Sequence, residues 1–75
     1  MLLTTETKIN AGQFQLRVDL NGGTAELQQS LDGLPFTALP GGTFSADFNQ
    51  RMYIGECVLK PVLTGDAVMS INRIE

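Results

Sequence analysis

The sequence predicts a small all-β domain, namely an antiparallel β-sandwich or barrel of about six to eight short strands. Apolar and polar residues alternate with a period of two along most of the chain, as they do in strands with one buried face. Turn-forming Asn, Asp, Gly and Pro residues interrupt this alternation at short intervals. No window carries the apolar spacing of an amphipathic helix, so the sequence gives no reason to expect helices.

The chain is predicted to divide into an N-terminal segment, residues 1–11, and a single β domain, residues 12–75. The segment is either the first strand of the domain or an extended arm, because its β-favouring residues alternate only weakly. An arm could add a strand to a neighbouring subunit and supply stability that a small core lacks. Deleting residues 1–10 is then expected to weaken assembly more than folding of the monomer.

The clearest strand covers residues 14–20, where Phe, Leu and Val alternate with Gln, Arg and Asp. A second alternating run covers residues 25–31, with Gln29 as the one polar residue in its apolar register. Residues 21–23, Asn-Gly-Gly, lie between the two runs. Asn-Gly is the strongest short hairpin signal, because both residues tolerate positive φ. The two runs are therefore predicted to pair as an antiparallel hairpin.

The middle of the chain contains two further turn signals. At Asp32 and Gly33 the Asp side chain can bond to nearby backbone and the Gly can take positive φ, so a corner is predicted there. Phe36 is expected to return to the core after this corner, on a short strand that also holds Leu39. Residues 40–42, Pro-Gly-Gly, are predicted to end that strand in another turn.

The second half of the chain continues the same pattern of strands and turns. Strands are predicted, in order, over residues 43–48, 52–54, 57–63 and 67–74. Residues 49–50, Asn-Gln, are predicted to turn the chain between the first two of these strands. Residues 64–66, Thr-Gly-Asp, are predicted to form the turn before the last strand.

The short length predicts a marginal core. A chain of 75 residues is room for one domain, and it buries only about 60% of the surface that its unfolded form exposes. Cys57 is the only cysteine, which excludes a disulfide within the chain. Hydrophobic residues make up 43% of the chain and charged residues only 17%, against about 25% charged in average soluble domains. We therefore expect part of the surface to be covered by a neighbouring subunit or partner.

No catalytic residue, no cofactor and no metal is predicted, and the chain is not expected to be an enzyme. The sequence has no histidine, so the commonest general base and a common zinc ligand are missing. Cys57 lies in an apolar run, and a thiol in such surroundings is inert. A calcium site at Asp32, Asp47 or Asp66 stays open as an alternative, although no loop is dense in oxygen ligands.

The charge and the hydropathy argue against nucleic-acid and membrane partners. The net charge is −3, and the five basic residues are spread along the chain without forming a run that could neutralise phosphates. No apolar stretch approaches the roughly 20 residues that span a bilayer. The first residues lack the basic and long apolar regions of a signal peptide. We therefore expect synthesis in a cytoplasm.

The aromatic residues separate into a core set and one surface candidate. The phenylalanines all fall in the alternating apolar register and are expected in the core: Phe14, Phe36, Phe44 and Phe48. A surface-facing Tyr53 beside Arg51 would suit a protein interface, and it would equally suit a small carbohydrate-binding module. The candidate interface combines this pair with the N-terminal segment: Leu2, Leu3, Thr5, Thr7, Ile9, Arg51 and Tyr53.

Three stretches carry a resemblance to a known class of proteins. They are residues 27–33 (LQQSLDG), residues 36–44 (FTALPGGTF) and residues 60–67 (KPVLTGDA). In these stretches the chain resembles small β-structured virion proteins of tailed bacteriophages. The shared features, in chain order, are a polar-faced strand, a Leu-Asp-Gly turn, a short Phe-Thr strand, a Pro-Gly turn and a late Leu-Thr-Gly-Asp hairpin. The resemblance implies a structural role without enzymatic activity.

The resemblance also implies a location and partners. The role implied first is that of a capsid decoration or cement protein on the outside of the head shell, with a tail, neck or fibre component as the alternative. The chain would then reside in the virion, be made in the host cytoplasm and contact other virion proteins, above all the major capsid protein. A homo-oligomer is implied, and a cyclic trimer would suit a symmetry axis of a shell.

Overall fold

Seven strands form the computed structural model of this chain, which describes residues 1–74. In chain order they are β1 (Thr7–Ile9), β2 (Gly12–Asp19), β3 (Thr24–Ser30), β4 (Thr37–Phe44), β5 (Phe48–Ile54), β6 (Cys57–Thr64) and β7 (Val68–Arg73). One antiparallel sheet has the order β1-β6-β3-β4, and the other has the order β5-β2-β7. The predicted all-β class and the number of strands are confirmed. Glu75, the last residue of the predicted 12–75 domain, lies outside the described residues.

The core lies between the inner faces of the two sheets. β2 contributes Phe14, Leu16 and Val18 from one sheet, and β3 contributes Ala25 and Leu27 from the other. The most deeply buried side chains come from both sheets and from the N-terminal segment: Leu3, Leu16, Val18, Leu27, Ile54, Leu59, Met69 and Ile71. Alternate residues of the strands thus meet in one apolar layer, as the period of two predicts.

β2 and β3 do not pair with each other, so the predicted hairpin between them is wrong. The turn itself has the expected conformation, because Asn21 and Gly22 have φ angles of 49° and 84°. The chain nevertheless crosses here from one sheet to the other: β2 pairs with β5 and β7, whereas β3 pairs with β4 and β6. Because the apolar residues of both strands point into the core in either arrangement, the alternation could not distinguish a hairpin from a crossing.

The Asn-Gly turn is held by the turn that follows β6. Asn21 Nδ2 donates to the carbonyl oxygen of Asp66 at 3.1 Å, and the Thr24 N–H donates to Thr64 Oγ1 at 2.9 Å. The predicted turn at residues 64–66 also joins strands of different sheets, so β6 and β7 form a second crossing and not a hairpin. The two crossings therefore pack against each other and close one end of the sandwich.

β4 continues through residues 40–42, where the sequence predicts that a strand ends in a turn. The register between β3 and β4 shifts here, so that residues 39–42 bulge opposite Leu27 alone. Gly41 has a φ of 72°, and a Cβ on Gly42 would lie 2.7 Å from the Leu27 carbonyl oxygen. Proline and glycine therefore form a bulge inside β4. Because β4 pairs with β3 again after the bulge, the strand continues beyond it.

The predicted turn at residues 49–50 is also wrong, because both residues lie inside β5. The turn falls at residues 45–47, and it carries the chain from β4 in one sheet to β5 in the other. The rings of Phe44 and Phe48 pack together on either side of it, with their centroids 4.9 Å apart. The chain therefore crosses between the sheets before Phe48, earlier than the alternation suggests.

Phe36 stays outside the core, contrary to the prediction. Asp32 and Gly33 have φ angles of 52° and 78°, so the predicted Asp-Gly turn is confirmed and joins β3 to β4 as a hairpin. Leu39 points inward from β4. Phe36 lies three residues before it, and residues three apart on an extended chain face opposite sides. Phe36 is therefore half-buried on the outer side, where the Lys60 ammonium lies 5.2 Å from its ring centroid.

The N-terminal segment packs on both sheets of its own chain. The Leu3 N–H donates to the carbonyl oxygen of Met69 at 2.8 Å, and Leu2 forms a bridge with Ser70, so residues 1–3 line the outer edge of β7. The chain then passes to the other sheet, where β1 pairs with the first three residues of β6. Of the two alternatives for residues 1–11, the structure contains the strand.

Candidate protein interface

The structure divides the predicted interface residues of the N-terminal segment between core and surface. Leu3 and Ile9 are 1% and 8% exposed, so they belong to the core. Leu2 is 61% exposed, and Thr5 is exposed in the link before β1. Thr7 is half-buried, and its hydroxyl donates to the carbonyl oxygen of Thr5 at 3.1 Å. Most of the apolar surface assigned to this segment is therefore used inside the chain.

Arg51 and Tyr53 lie together on the outer face of β5. Both side chains are exposed, and Tyr53 is 63% exposed. In the register between β5 and β2, Tyr53 lies opposite Gln13 and Arg51 lies opposite Gln15. Among the described residues, β5 pairs with β2 along one side only. The predicted pair is thus brought together at an open edge of the three-stranded sheet.

Polar side chains cover the neighbouring part of this outer face. Gln15 Nε2 donates to Asn49 Oδ1 at 2.6 Å, and Arg17 Nε lies 3.1 Å from Asp19 Oδ2. An exposed ion pair of this kind contributes about 0–1 kcal/mol to stability. Tyr53 is the large apolar group next to this polar region.

A second surface, which the sequence pattern did not indicate, lies at the β3–β4 hairpin. Leu31 and Leu34 are 45% and 62% exposed and, together with Pro35, line an apolar groove of about 280 Å³. The Leu34 N–H donates to the carbonyl oxygen of Leu31 at 2.9 Å, which holds the loop in the conformation that exposes both. The sequence feature that could have indicated this surface is the pair of leucines on either side of Asp32-Gly33. The alternation instead assigned Leu31 to the apolar register of the preceding strand.

Charged groups lie close to this apolar groove. Lys8, Asp32 and Glu56 line a neighbouring depression of about 270 Å³ at the same end of the sandwich. An apolar centre with a polar rim is the usual anatomy of a protein interface. The hairpin end of the molecule therefore offers the arrangement that a protein partner could cover.

Cys57 is one of the residues that line the charged depression, and it is buried. Burial raises the pKa of its thiol, because the thiolate would lose solvation. The thiol is therefore protonated at neutral pH and a weak nucleophile. Within residues 1–74, no three Cys, Asp or Glu side chains are grouped so that they could hold a metal ion. In the same part of the chain, no helix is present that is long and apolar enough to cross a membrane.

No protein-family model, no curated protein sequence and no solved structure matches this chain. The open edge of β5 and the apolar groove at the β3–β4 hairpin are the two surfaces of this chain that bear on its function.

Proposed function

We propose that this chain is a structural subunit of a tailed-phage virion, and specifically a capsid decoration or cement protein. It binds the outside of the head shell and stabilises the shell through protein–protein contacts, chiefly with the major capsid protein. The observation that carries the proposal is the apolar groove of Leu31, Leu34 and Pro35 at the β3–β4 hairpin.

The groove is suited to repeated docking because it is preformed. The Asp32-Gly33 turn and the hydrogen bond between Leu34 and Leu31 hold the loop in place before any partner binds. A preformed surface loses little conformational entropy on binding. The groove is too small for a tight single contact, but many copies on a symmetric shell convert modest contacts into strong overall attachment.

The sequence resemblance falls on the same part of the molecule. Residues 27–33 and 36–44, two of the three stretches that resemble phage virion proteins, form the β3–β4 hairpin that presents the groove. The low content of charged residues, 17%, also favours a chain whose surface is partly covered. The charge content supports the proposal independently of the exposed leucines, whereas the resemblance includes one of them, Leu31.

The test is uptake by phage heads that lack this protein. The purified chain is mixed with such heads, and bound protein is measured by co-sedimentation together with the temperature at which the heads open. We expect saturable, stoichiometric uptake and a higher opening temperature. Leu34→Asp should abolish both, because it places a charge in the groove without removing a core side chain.

Val68→Lys is the control for this substitution, because it also places a charge on an exposed apolar position and does not oppose a like charge. Val68 is 40% exposed, but it lies opposite Asp19 at the other end of the sandwich, next to the Asn-Gly turn. This variant should bind like the wild type. Heads that take up no protein, or equal loss of uptake in both variants, would contradict the proposal. Uptake by tails and not by heads would assign the chain to a tail, neck or fibre position.

A small carbohydrate-binding module is the second candidate, because Tyr53 presents an exposed ring opposite the amide side chain of Gln13. This function predicts saturable binding of a soluble glycan that Tyr53→Ala removes while uptake by heads is unchanged. Calorimetric titration with a panel of surface glycans measures it. Glycan binding lost in Tyr53→Ala, without head uptake by the wild type, would replace the structural proposal.

A further inference from the structure

Most sheet edges of this molecule are protected against pairing with another chain. Residues 1–3 cover the outer edge of β7, and β1 is only three residues long. β4 carries Pro40 and the bulge of residues 39–42. Short, bulged, proline-containing or covered edges are the usual means by which proteins block edge-to-edge association.

β5 is the exception among these edges. It pairs with β2 over seven consecutive residue pairs without a register shift, so its backbone is regular from Phe48 to Ile54. It contains no proline, and Arg51 is its one charged residue. No described residue pairs with its outer side. An edge of this kind is a template for another strand.

We propose that two copies of this chain pair through their β5 edges, antiparallel and around a two-fold axis. The two three-stranded sheets then form one continuous six-stranded sheet with the order β7-β2-β5-β5-β2-β7. The occupant is a second copy because the exposed face of β5 is complementary to itself. A two-fold axis matches one surface to the same surface of its partner.

The complementarity comes from Arg51 and Tyr53. In a register centred on Met52, each Tyr53 lies directly opposite Arg51 of the second copy, and both side chains are on the outer face. Directly opposed residues of antiparallel strands have Cβ atoms about 4.5–5.5 Å apart, close enough for a guanidinium to stack on a tyrosine ring. A register centred on Arg51 would instead bring two like charges together. The dimer uses the β5 edge of each copy, so an oligomer larger than a dimer would need a separate surface.

The test uses the full chain in solution and two variants. Sedimentation equilibrium over a series of concentrations should show a monomer–dimer equilibrium for the wild type. Tyr53→Lys should raise the dimer Kd by roughly tenfold or more, because each introduced ammonium group lies opposite Arg51 of the other copy. Arg51→Glu combined with Tyr53→Lys should restore the dimer, because opposite charges then face each other twice.

Val68→Lys is the matched control, because it adds the same charge to the outer face of the far strand of this sheet. It should dimerise like the wild type, and far-UV circular dichroism should show that all variants are folded. A wild type that stays monomeric at every concentration, or a Tyr53→Lys variant that dimerises normally, overturns the proposal. A double variant that stays monomeric overturns the register.

A second readout is amide hydrogen exchange along β5. The alternate amides that point away from β2 should gain protection as the concentration rises into the dimer range, whereas exchange along β4 should be unchanged. Equal protection at all concentrations overturns the pairing. The experiment needs no phage particle, so failure of the capsid-binding proposal would leave this result unaffected.

Discussion

At the scale of single residues, Gly23 shows how closely the β2–β3 connection packs against the β6–β7 connection. A Cβ on Gly23 would lie 1.9 Å from the Thr64 carbonyl oxygen, which is backbone and cannot rotate away. We expect Gly23→Ala to lower the free energy of unfolding by about 1–3 kcal/mol. Gly55→Ala is the control, because no atom beyond its two chain neighbours lies within 4 Å of its added Cβ. Urea unfolding followed by circular dichroism measures both, and equal losses would contradict the close approach.

The Cys57 thiol allows a test of burial by chemistry. Burial raises its pKa, so at mildly alkaline pH the folded chain holds less thiolate than the unfolded chain. Iodoacetamide should therefore modify Cys57 much more slowly in buffer than in urea at the same pH. Mass spectrometry of the modified fraction over time measures the two rates, and similar rates would show that the thiol is accessible.

The same pKa direction determines how this thiol affects stability. The protonated thiol favours the folded state at pH values below the unfolded pKa, and this contribution falls as the pH rises above it. The wild type should therefore lose more stability between neutral and strongly alkaline pH than Cys57→Ala. The difference between the two unfolding curves isolates the contribution of the thiol, because every other ionisable side chain is present in both proteins.

At the scale of elements, the N-terminal segment changes from a possible arm into part of the fold. Leu3 is 1% exposed and Leu2 is 61% exposed, although they are neighbours on the edge of β7. We expect Leu3→Ala to lower the free energy of unfolding by about 2–5 kcal/mol and Leu2→Ala by less than about 0.5 kcal/mol. Thermal unfolding measures both. Equal, small effects would show that the segment leaves the domain in solution.

This placement also alters what the deletion of residues 1–10 can show. The sequence suggested that the deletion would weaken assembly more than folding of the monomer. It removes Leu3 and Ile9, two members of the core, so a large loss of monomer stability is now expected. The substitution of Leu2 tests the exposed part of the segment without that complication.

The strands themselves were largely predictable from the sequence. The runs at residues 14–20, 57–63 and 67–74 coincide closely with β2, β6 and β7, because a period of two with turn residues at both ends is a local property. The positive φ angles at Asn21, Gly22 and Gly33 were expected from residue type, whereas the positive φ of Asp32 was not. The bulge in β4 and the turn at residues 45–47 were not, because proline, glycine and serine allow several local conformations and distant contacts select among them.

The candidate surfaces were predictable only in part. Arg51 and Tyr53 were identified from their residue types, and both are exposed on one face. The alternation gave Leu31 an inward position, but β3 ends at Ser30 and the next residue begins the hairpin turn. An error of one residue in the end of a strand thus moved a leucine from the expected core to the exposed groove.

At the scale of the whole molecule, the crossings predict slow folding. Of the six connections between consecutive strands within residues 1–74, only the β3–β4 connection joins two strands that pair in the same sheet. β2 pairs instead with β5 and β7, so Phe14 lies opposite Met52 and Arg73, which are distant in the sequence. Contacts between distant parts of a chain slow folding, so we expect refolding in milliseconds to seconds. Stopped-flow circular dichroism measures the rate, and refolding in microseconds would contradict this topology.

The sequence by itself determined the β class, the main strands and most inward-facing residues of this protein, since each depends on neighbouring residues and on a period of two. Only the tertiary structure shows that β2 and β3 lie in different sheets, that Leu3 is part of the core and that β5 is an open edge. A hairpin and a crossing bury the same alternate residues, so local pattern cannot choose between them. The choice depends on contacts between distant turns, such as Gly23 against Thr64, and on burial summed over both sheets.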